Sequence, residues 1–443
     1  MNLFSKKNIF LNTKILLTLL IFHFFILTFI RFQLGWDLHI SFLHSDIWNL
    51  WKDIYLFFIY ILIIWYTLKN NLLEQIFKKN LKLNILFWII IIFSLITTFL
   101  NFHWLKWLII WFKYDLWFLF PVIFFPLVDW TKKDINKFYK LIISLIKTVI
   151  TFCIIFAIIR FIHPEFLFLF GYWPLWDWTS NWYPPILFQT GLDGIQRFSG
   201  IFSWPNHMAF YFIAFWPIIL FSIFSKKIHY IWWILYIILL FGTLSRSWIL
   251  AFWVEIFLIS IFLFKYYKNL RKFILSWFIA IWIAIFSLSS YLYFSWKYKQ
   301  IILRWASTAW HTKRAIKAFK AIQQNPVIWH GIWTAWPASH YIKSDIIPES
   351  RFLQIFYELW IFWWILWFSF MLYIIFLIYK NIHIHYSYLQ NKDILKISLS
   401  IWTIGLLFQW LVLHGFEDSM TSLPLFIILW IILWLNNNNA TKN

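Results

Sequence analysis

Arginine residues near the ends of apolar segments are the residues of this sequence best suited to chemistry. Arg197 lies just before an apolar run, Arg246 lies in a short turn between two apolar runs, and the basic segment 297–351 carries Arg314 and Arg351. The planar guanidinium group can bind two phosphate oxygens at once, which suits arginine to the recognition of phosphate groups. Together these segments predict a binding surface for a phosphorylated ligand.

The segment 297–351 is the longest stretch without a membrane-spanning apolar run. It carries nine lysine and arginine residues against only Asp345 and Glu349. Within it, residues 311–324 have the pattern of a basic amphipathic helix. Its apolar side consists of Ala315, Ile316, Phe319 and Ile322. Two interpretations stay open: the helix lies on anionic lipid headgroups, or it forms part of a surface that binds phosphate.

Two carboxylates lie inside or beside apolar runs. Glu255 falls within one such run, and Glu358 falls near the end of another. Ionisable residues at membrane depth are costly to bury, so they are functional candidates by default. For Glu358, a hydrogen-bonded packing contact is the alternative.

Other kinds of site find little support in the sequence. His311, His330 and His340 are not spaced as a pair of metal ligands. No P-loop, dinucleotide-binding motif or nucleophile elbow is present. We therefore expect neither a metal nor a cofactor. The single cysteine, Cys153, lies in an apolar run and is expected to be a buried small hydrophobic residue.

Apolar helices must position these residues. Of the 443 residues, 63% are hydrophobic and only 12% are charged, against about 45–50% and about 25% in soluble domains. Repeated apolar runs of about 20 residues predict an all-α polytopic membrane protein with about 12 transmembrane helices. We expect a single integral membrane domain over residues 1–443. The predicted spans are 15–31, 50–68, 83–100, 115–129, 139–161, 206–225, 229–243, 247–265, 273–295, 352–379, 396–413 and 423–436.

Basic residues in the short loops predict the orientation, because cytoplasmic loops are enriched in lysine and arginine. Both termini are predicted to be cytoplasmic, together with segments 69–82, 130–140, 226–228, 265–272 and 380–395. The predicted extracytoplasmic segments are 32–48, 101–114, 162–204, 243–247, 297–351 and 414–422. The large loop 297–351 joins spans nine and ten, and long loops are translocated despite their charge. The four arginines named above would then share the extracytoplasmic side.

The net charge of +21 is dispersed over these membrane flanks. Most of this charge is explained by the basic residues that keep short loops on the cytoplasmic side of the membrane. We therefore expect membrane lipids as partners and no binding of nucleic acid.

Tryptophan is unusually common and glycine unusually rare, with 36 and 9 residues, although glycine makes up about 7% of an average protein. Several tryptophans lie four residues apart, such as Trp360 and Trp364 or Trp430 and Trp434. Small residues at this interval allow close packing of transmembrane helices, which an indole prevents. We hypothesise that many of these positions are UGA codons that the source organism reads as glycine. A protein that is truly rich in tryptophan is the alternative.

Four stretches resemble motifs of the O-antigen ligase and O-antigen polymerase superfamily of bacterial envelope glycan transferases. Residues 197–209 contain an arginine, a Ser-Gly pair and a Pro-Asn pair before a span, and residues 243–248 resemble the family's Ser-Arg-Ser turn. Residues 325–333 resemble its Asn-Pro-aliphatic motif, and residues 349–363 resemble its loop-to-helix segment ending in Glu-Leu-Gly. In the last three stretches, tryptophan stands where the family has glycine. The resemblance covers about 190–370, the family-like core.

The resemblance implies transfer of a glycan from an undecaprenyl-pyrophosphate carrier, without a metal or a nucleotide sugar. The acceptor would be a second lipid-linked glycan in a polymerase, or a lipid A core or another molecule in a ligase. Such a protein would lie in the cytoplasmic membrane with its active face outside.

The resemblance also implies roles for individual residues. Arg197, Arg246 and Arg314 would bind the diphosphate, where cations stabilise the charge that develops as the anomeric bond breaks. Glu349 lies where a ligase has histidine, and it would orient or deprotonate the acceptor hydroxyl. The further expected contacts are Arg351 with phosphate and His340 and Tyr341 with sugars.

A transporter or flippase for a lipid-linked oligosaccharide is the alternative from another class of function. It too would combine many spans with arginines that contact phosphate. It would place charges in a central cavity open to both sides, whereas here the basic groups cluster on the outer side and Glu255 is nearly alone within the membrane. A non-catalytic assembly partner is a third possibility, for which no specific feature argues.

Overall fold

The computed structural model describes the chain in separate stretches. These are residues 4–23, 26, 51–72, 74, 81–100, 120–163, 166, 187–190, 195–202, 205–243, 245–266, 276, 279, 283, 287, 290, 305–324, 350–380, 390–409 and 423–432. For some of these residues, among them Arg197, Arg246 and Arg351, the backbone alone is described.

The described part of the chain is almost entirely helical. The helices are α1 (Lys6–Ile21), α2 (Trp51–Lys69), α3 (Leu81–Leu100), α4 (Pro121–Phe124), α5 (Lys132–Ile162), α6 (Pro205–Phe224), α7 (Ile231–Gly242), α8 (Arg246–Tyr266), α9 (Trp305–Gln324), α10 (Arg351–Lys380), α11 (Asn391–Gln409) and α12 (Leu423–Ile432). A short 3-10 helix, Phe125–Leu127, follows α4. A two-stranded antiparallel hairpin, β1 (Leu187–Thr190) and β2 (Ile195–Phe198), precedes α6. The predicted all-α class is confirmed.

Three helices are long and apolar enough to cross a membrane: α2, the part Lys132–Ile159 of α5, and α6. Helix α2 also carries large apolar side chains on its outer surface, and Ile54 and Phe57 are 63% and 57% exposed within the protein. Lipid covers such a surface favourably, whereas water does not. The helices therefore fit the predicted membrane protein.

Helix α6 packs against α7, α8 and α11. Its side chains are buried on nearly every side, in agreement with an almost uniformly apolar sequence. Helix α11 packs against both α6 and α8, and its Trp402 side chain is fully buried. Helices α6, α8 and α11 thus form a tightly packed group, and the candidate site lies at one end of it.

Polar contacts bring three helix ends together. Lys6 of α1 forms ion pairs of 3.4 Å with Asp129 and Asp134, and the Tyr66 hydroxyl of α2 donates a 2.6 Å hydrogen bond to Asp129. The start of α1, the end of α2 and the start of α5 therefore share one end of the bundle. All three belong to segments predicted to be cytoplasmic.

Further contacts add two more helix ends to this group. The hydroxyls of Tyr139 in α5 and Ser222 in α6 are 2.6 Å apart, and Lys227 donates a hydrogen bond to Asn391 at the start of α11. Burial lowers the pKa of the Lys227 ammonium group, although the nearby Asp393 carboxylate acts in the opposite direction. These residues also belong to segments predicted to be cytoplasmic or to the helices next to them.

The end of α1 and the start of α2 lie at the opposite end of the bundle. Trp51, at the start of α2, donates a 2.8 Å hydrogen bond to Nδ1 of His23, just beyond the end of α1. The start of α6 and the turn between α7 and α8 also lie at this end. They carry the motif residues that sequence analysis singled out.

Helix bounds differ from the predicted spans at the starts of α5, α1 and α11, and α11 begins at Asn391 rather than 396. Helix α5 begins at Lys132 rather than near 139, so most of the predicted loop 130–140 is helical. The cause is a capping box, in which the side chains of Thr131 and Asp134 each bond the other residue's backbone N–H. Helix α1 begins at Lys6 rather than 15, with the Ser5 side chain as its N-cap.

The fourth predicted span, 115–129, is wrong in the part that the structure describes. Residues 121–124 form one helical turn and residues 125–127 a 3-10 turn, after which Val128 is extended. Pro126 lacks a backbone N–H and its ring clashes with the preceding turn, which disfavours an α-helix at this point. Span nine, 273–295, and the segments 101–114 and 410–422 lie outside the continuous described stretches.

Candidate functional site at one end of the bundle

The backbone of Arg197 lies in strand β2, opposite Phe188 in the antiparallel register. Two residues after the strand, Gly200 adopts a φ of +55°, which L side chains rarely adopt. A Cβ atom on Gly200 would also lie 2.5 Å from Sγ of Cys153 in α5. Glycine is therefore required both by the backbone conformation and by the close approach. This contact fixes the segment that follows Arg197 against α5.

A hydrogen bond joins the start of α6 to the turn between α7 and α8. The Ser245 hydroxyl donates to Oδ1 of Asn206 at 2.8 Å, and the Ser245 side chain is buried. The backbone N–H of Ser245 in turn donates to the Thr243 hydroxyl at 3.4 Å. Helix α8 begins directly after Ser245 with Arg246. The bond therefore holds the backbone that carries Arg246 against the start of α6.

The strand that carries Arg197 lies next to the same turn. A Cβ atom on Gly242, the last residue of α7, would lie 3.6 Å from Cβ of Phe198 at the end of β2. This is ordinary van der Waals distance, so strand and helix end are in contact. The segments around Arg197 and Arg246 thus meet at one end of the bundle.

Helix α9 carries Arg314 and packs on α10, which begins with Arg351. Ile322 of α9 and Tyr357 of α10 are buried in one small apolar cluster. The half-buried residues around them are Ala321, Leu353 and Phe356. The backbone N–H of Leu353 donates to the Ser350 hydroxyl at 3.5 Å, which caps the start of α10. The predicted basic helix at 311–324 is confirmed, and it begins earlier, at Trp305.

Helix α11 contacts both groups of helices that carry candidate site residues, the group around the Ser245 turn and the pair α9 and α10. It packs against α6 and α8 and also against α10. Through these contacts, α9 and α10 are held to the same bundle as the Ser245 turn. Glu349, His340 and Tyr341, the other residues of the predicted site, lie outside the described residues, and their roles stay predictions.

Glu255, which the sequence marked as a membrane-buried carboxylate, is fully buried in α8. Its Oε2 atom accepts a 2.6 Å hydrogen bond from the indole nitrogen of Trp216 in α6. Its Oε1 atom has no hydrogen-bond partner among the described residues. A Cβ atom on Gly405 of α11 would lie 2.4 Å from this Oε1. Glu255 therefore occupies the place where α6, α8 and α11 meet.

Sequence reasoning did not identify Gly200 or Gly405 as contact residues. In a chain with only 9 glycines, each glycine inside an apolar run or next to a motif is a signal of close packing. The bond between Ser245 and Asn206 was also missed, although both residues belong to motifs named from the sequence. Their pairing depends on how α6 and α8 pack, which no local pattern gives.

Comparisons with family models, with curated proteins and with solved structures gave no match for this chain. The likeness to glycan transferases therefore consists of the four short motifs and their order.

Proposed function

We propose that this chain is a membrane glycan transferase of the O-antigen polymerase or ligase type. It transfers an undecaprenyl-pyrophosphate-linked glycan to an acceptor hydroxyl, without a metal or cofactor. In this proposal the chain crosses the cytoplasmic membrane about 12 times. Both termini are cytoplasmic, and the active face is extracytoplasmic.

The hydrogen bond between Ser245 and Asn206 is the observation that carries the proposal. These residues are 39 positions apart and belong to two different motifs of the resemblance. A shared site requires such motifs to be neighbours in space. The contact between Phe198 and Gly242 adds the strand of Arg197 to the same place. The grouping of helix ends into two sets, which follow the predicted sides of the membrane, gives independent support.

The proposed reaction exchanges one bond at the anomeric carbon of the donor glycan. The acceptor oxygen forms a bond to that carbon as the bond to the diphosphate oxygen breaks. Arg197, Arg246 and Arg314 stabilise the negative charge that the lipid diphosphate takes up as it leaves. Glu349 accepts the proton from the acceptor hydroxyl. Arg351 adds a phosphate contact, and His340 and Tyr341 bind sugars.

A reconstituted assay with a lipid-linked donor tests the proposal. We expect Arg246→Ala and Glu349→Gln each to lower product formation at least about a hundredfold, in the range found when one charge-stabilising or proton-transfer group is removed. Arg271→Ala is the matched control, because it removes an arginine from the predicted cytoplasmic loop 265–272 and should leave the rate unchanged. Full activity in both site variants would refute the assignment.

The same preparation separates the proposal from the flippase alternative. A transferase converts the donor to a longer or attached glycan and releases the lipid diphosphate in equal amount. A flippase moves the donor between leaflets and leaves its covalent structure unchanged. Movement without release of the lipid diphosphate would replace the transferase proposal with the alternative.

A further inference from the structure

Helix α9 has one side packed against the protein and an opposite side that is exposed. Ala318 and Ile322 are both buried, and Ile322 packs against α10. On the opposite side, Ile316 and Phe319 are 51% and 50% exposed, although both are large and apolar. Residues three and four apart are neighbours on a helix, so Ile316 and Phe319 form one apolar patch.

Three exposed lysines adjoin this apolar patch. Lys313 is three positions before Ile316, and Lys320 is four positions after it. Lys317 continues the row one turn from Lys313. Helix α9 contains no aspartate or glutamate between Trp305 and Gln324. The exposed side therefore combines a positive row with an apolar patch, which is the pattern of a helix that lies in a membrane interface.

The packing of α9 places it at the level where such an interface would be. Its cluster partners Leu353, Phe356 and Tyr357 all lie in the first two turns of α10. Helix α10 has 30 residues and continues as an apolar helix beyond these turns. A spanning helix has its first turns at the boundary between headgroups and hydrocarbon. Helix α9 therefore lies against the boundary end of α10.

We propose that the exposed side of α9 docks on anionic phospholipid headgroups of the leaflet that surrounds the start of α10. Phe319 and Ile316 enter the region between headgroups and acyl chains, and the three lysines contact lipid phosphates. A docked α9 fixes the height of Arg314 above the membrane surface. This inference concerns bulk lipid and does not depend on the proposed glycan transfer.

An environment-sensitive fluorophore on Phe319→Cys tests the docking. Cys153 is fully buried, so the introduced thiol is the accessible one among the described residues. The labelled protein is placed in nanodiscs of phosphatidylcholine alone or with phosphatidylglycerol. We expect a blue-shifted emission with phosphatidylglycerol that is lost at 1 M salt, where charges are screened beyond about 3 Å. Equal emission in the two lipids would overturn the proposal.

Charge variants of the labelled protein give the second test. Lys313→Gln, Lys317→Gln and Lys320→Gln together should abolish the lipid-dependent shift. The matched control removes three exposed lysines at the opposite end of the bundle, Lys7→Gln, Lys69→Gln and Lys133→Gln, and should retain the shift. A shift that survives in the α9 variant contradicts the docking.

Inorganic pyrophosphate separates lipid headgroups from a phosphorylated substrate as the partner of the lysines. It is added to the labelled protein in phosphatidylcholine nanodiscs. We expect no change in emission there. A blue shift produced by pyrophosphate alone would assign the lysines to a diphosphate ligand and overturn the lipid proposal.

Discussion

The indole nitrogen of Trp216 donates a 2.6 Å hydrogen bond to Oε2 of Glu255, where α6 and α8 pack together inside the bundle. This is the one described hydrogen bond that the buried Glu255 carboxyl group receives from a side chain, because its Oε1 atom has no partner among the described residues. A buried polar group left without its partner destabilises the fold by about 1–3 kcal/mol, more than the about 0.5–1.5 kcal/mol that a hydrogen bond contributes. The stability of this helix pair therefore depends on the Trp216 indole.

Trp216→Phe should destabilise the protein by about 1–3 kcal/mol, because it keeps an aromatic ring and removes the donor to Glu255. The measurement is the apparent Tm of the purified protein in detergent, which should fall by a few degrees. Trp65→Phe is the matched control, since the Trp65 side chain is 54% exposed on α2. Equal Tm values for the two variants would show that the bond contributes nothing measurable.

Gly405→Ala should also destabilise the bundle, because the added Cβ would lie 2.4 Å from Oε1 of Glu255. Overpacking of this kind costs about 1–3 kcal/mol. Gly242→Ala is the matched control, since its Cβ would meet Phe198 at an ordinary 3.6 Å and should leave the Tm unchanged or higher.

The carboxylate itself can be tested as the cause of the Gly405 effect. In a Glu255→Ala background, Gly405→Ala should lower the Tm much less, because the Oε1 atom that the added Cβ would meet has been removed. A double-mutant cycle of apparent Tm values measures this coupling. Additive losses would assign the Gly405 effect to another neighbour.

Apolar runs predicted the helices to within a few residues where no polar cap interfered. Span 206–225 corresponds to Pro205–Phe224, and span 247–265 to Arg246–Tyr266. The start of α5 was missed because Thr131 to Asp134 is a polar stretch that resembles a loop in composition. Its capping box satisfies backbone N–H groups through two side chains, a pairing that average hydropathy does not detect.

The candidate site was predictable as a set of segments, while its contacts were not. Arginine type and turn position singled out Arg197 and Arg246, and the structure places their backbones at one end of the bundle. The bond between Ser245 and Asn206 follows from the packing of α6 against α7 and α8. That packing is set by many weak apolar contacts, which no single motif contains.

Ser245→Ala should lower transfer activity about two- to twelvefold, because the lost hydrogen bond is worth about 0.5–1.5 kcal/mol. The bond holds the start of α8, and so Arg246, against the start of α6. The measurement is the rate of product formation in the reconstituted assay. In the Asn206→Ala background, Ser245→Ala should have little further effect.

Ser222→Ala is the matched control for this prediction. It also removes one buried hydroxyl, which lies 2.6 Å from the Tyr139 hydroxyl at the opposite end of the bundle. We expect it to lower the Tm and to leave the transfer rate per folded protein unchanged. Equal loss of rate in the two serine variants would mean that activity follows general stability rather than the Ser245 turn.

Buried indoles without a hydrogen-bond partner mark the positions where we expect glycine in the natural protein. A buried tryptophan usually finds an acceptor for its N–H group. Among the described residues, the buried indole nitrogens without a partner are those of Trp233, Trp248, Trp402 and Trp430. Glycine there would remove an unsatisfied donor and allow closer helix approach. By contrast, the described indoles of Trp51, Trp130 and Trp216 do donate hydrogen bonds.

The codons of the gene and the peptide masses of the protein from its natural source decide this hypothesis. We expect UGA codons and glycine masses at the four positions without a partner, and UGG codons and tryptophan masses at the three that donate hydrogen bonds. UGG codons at all seven would show that the protein is truly rich in tryptophan. In that case four donors stay buried without acceptors, and each should cost about 1–3 kcal/mol of stability. Replacing Trp402 by phenylalanine would then raise the Tm, because it removes the donor and keeps most of the buried ring.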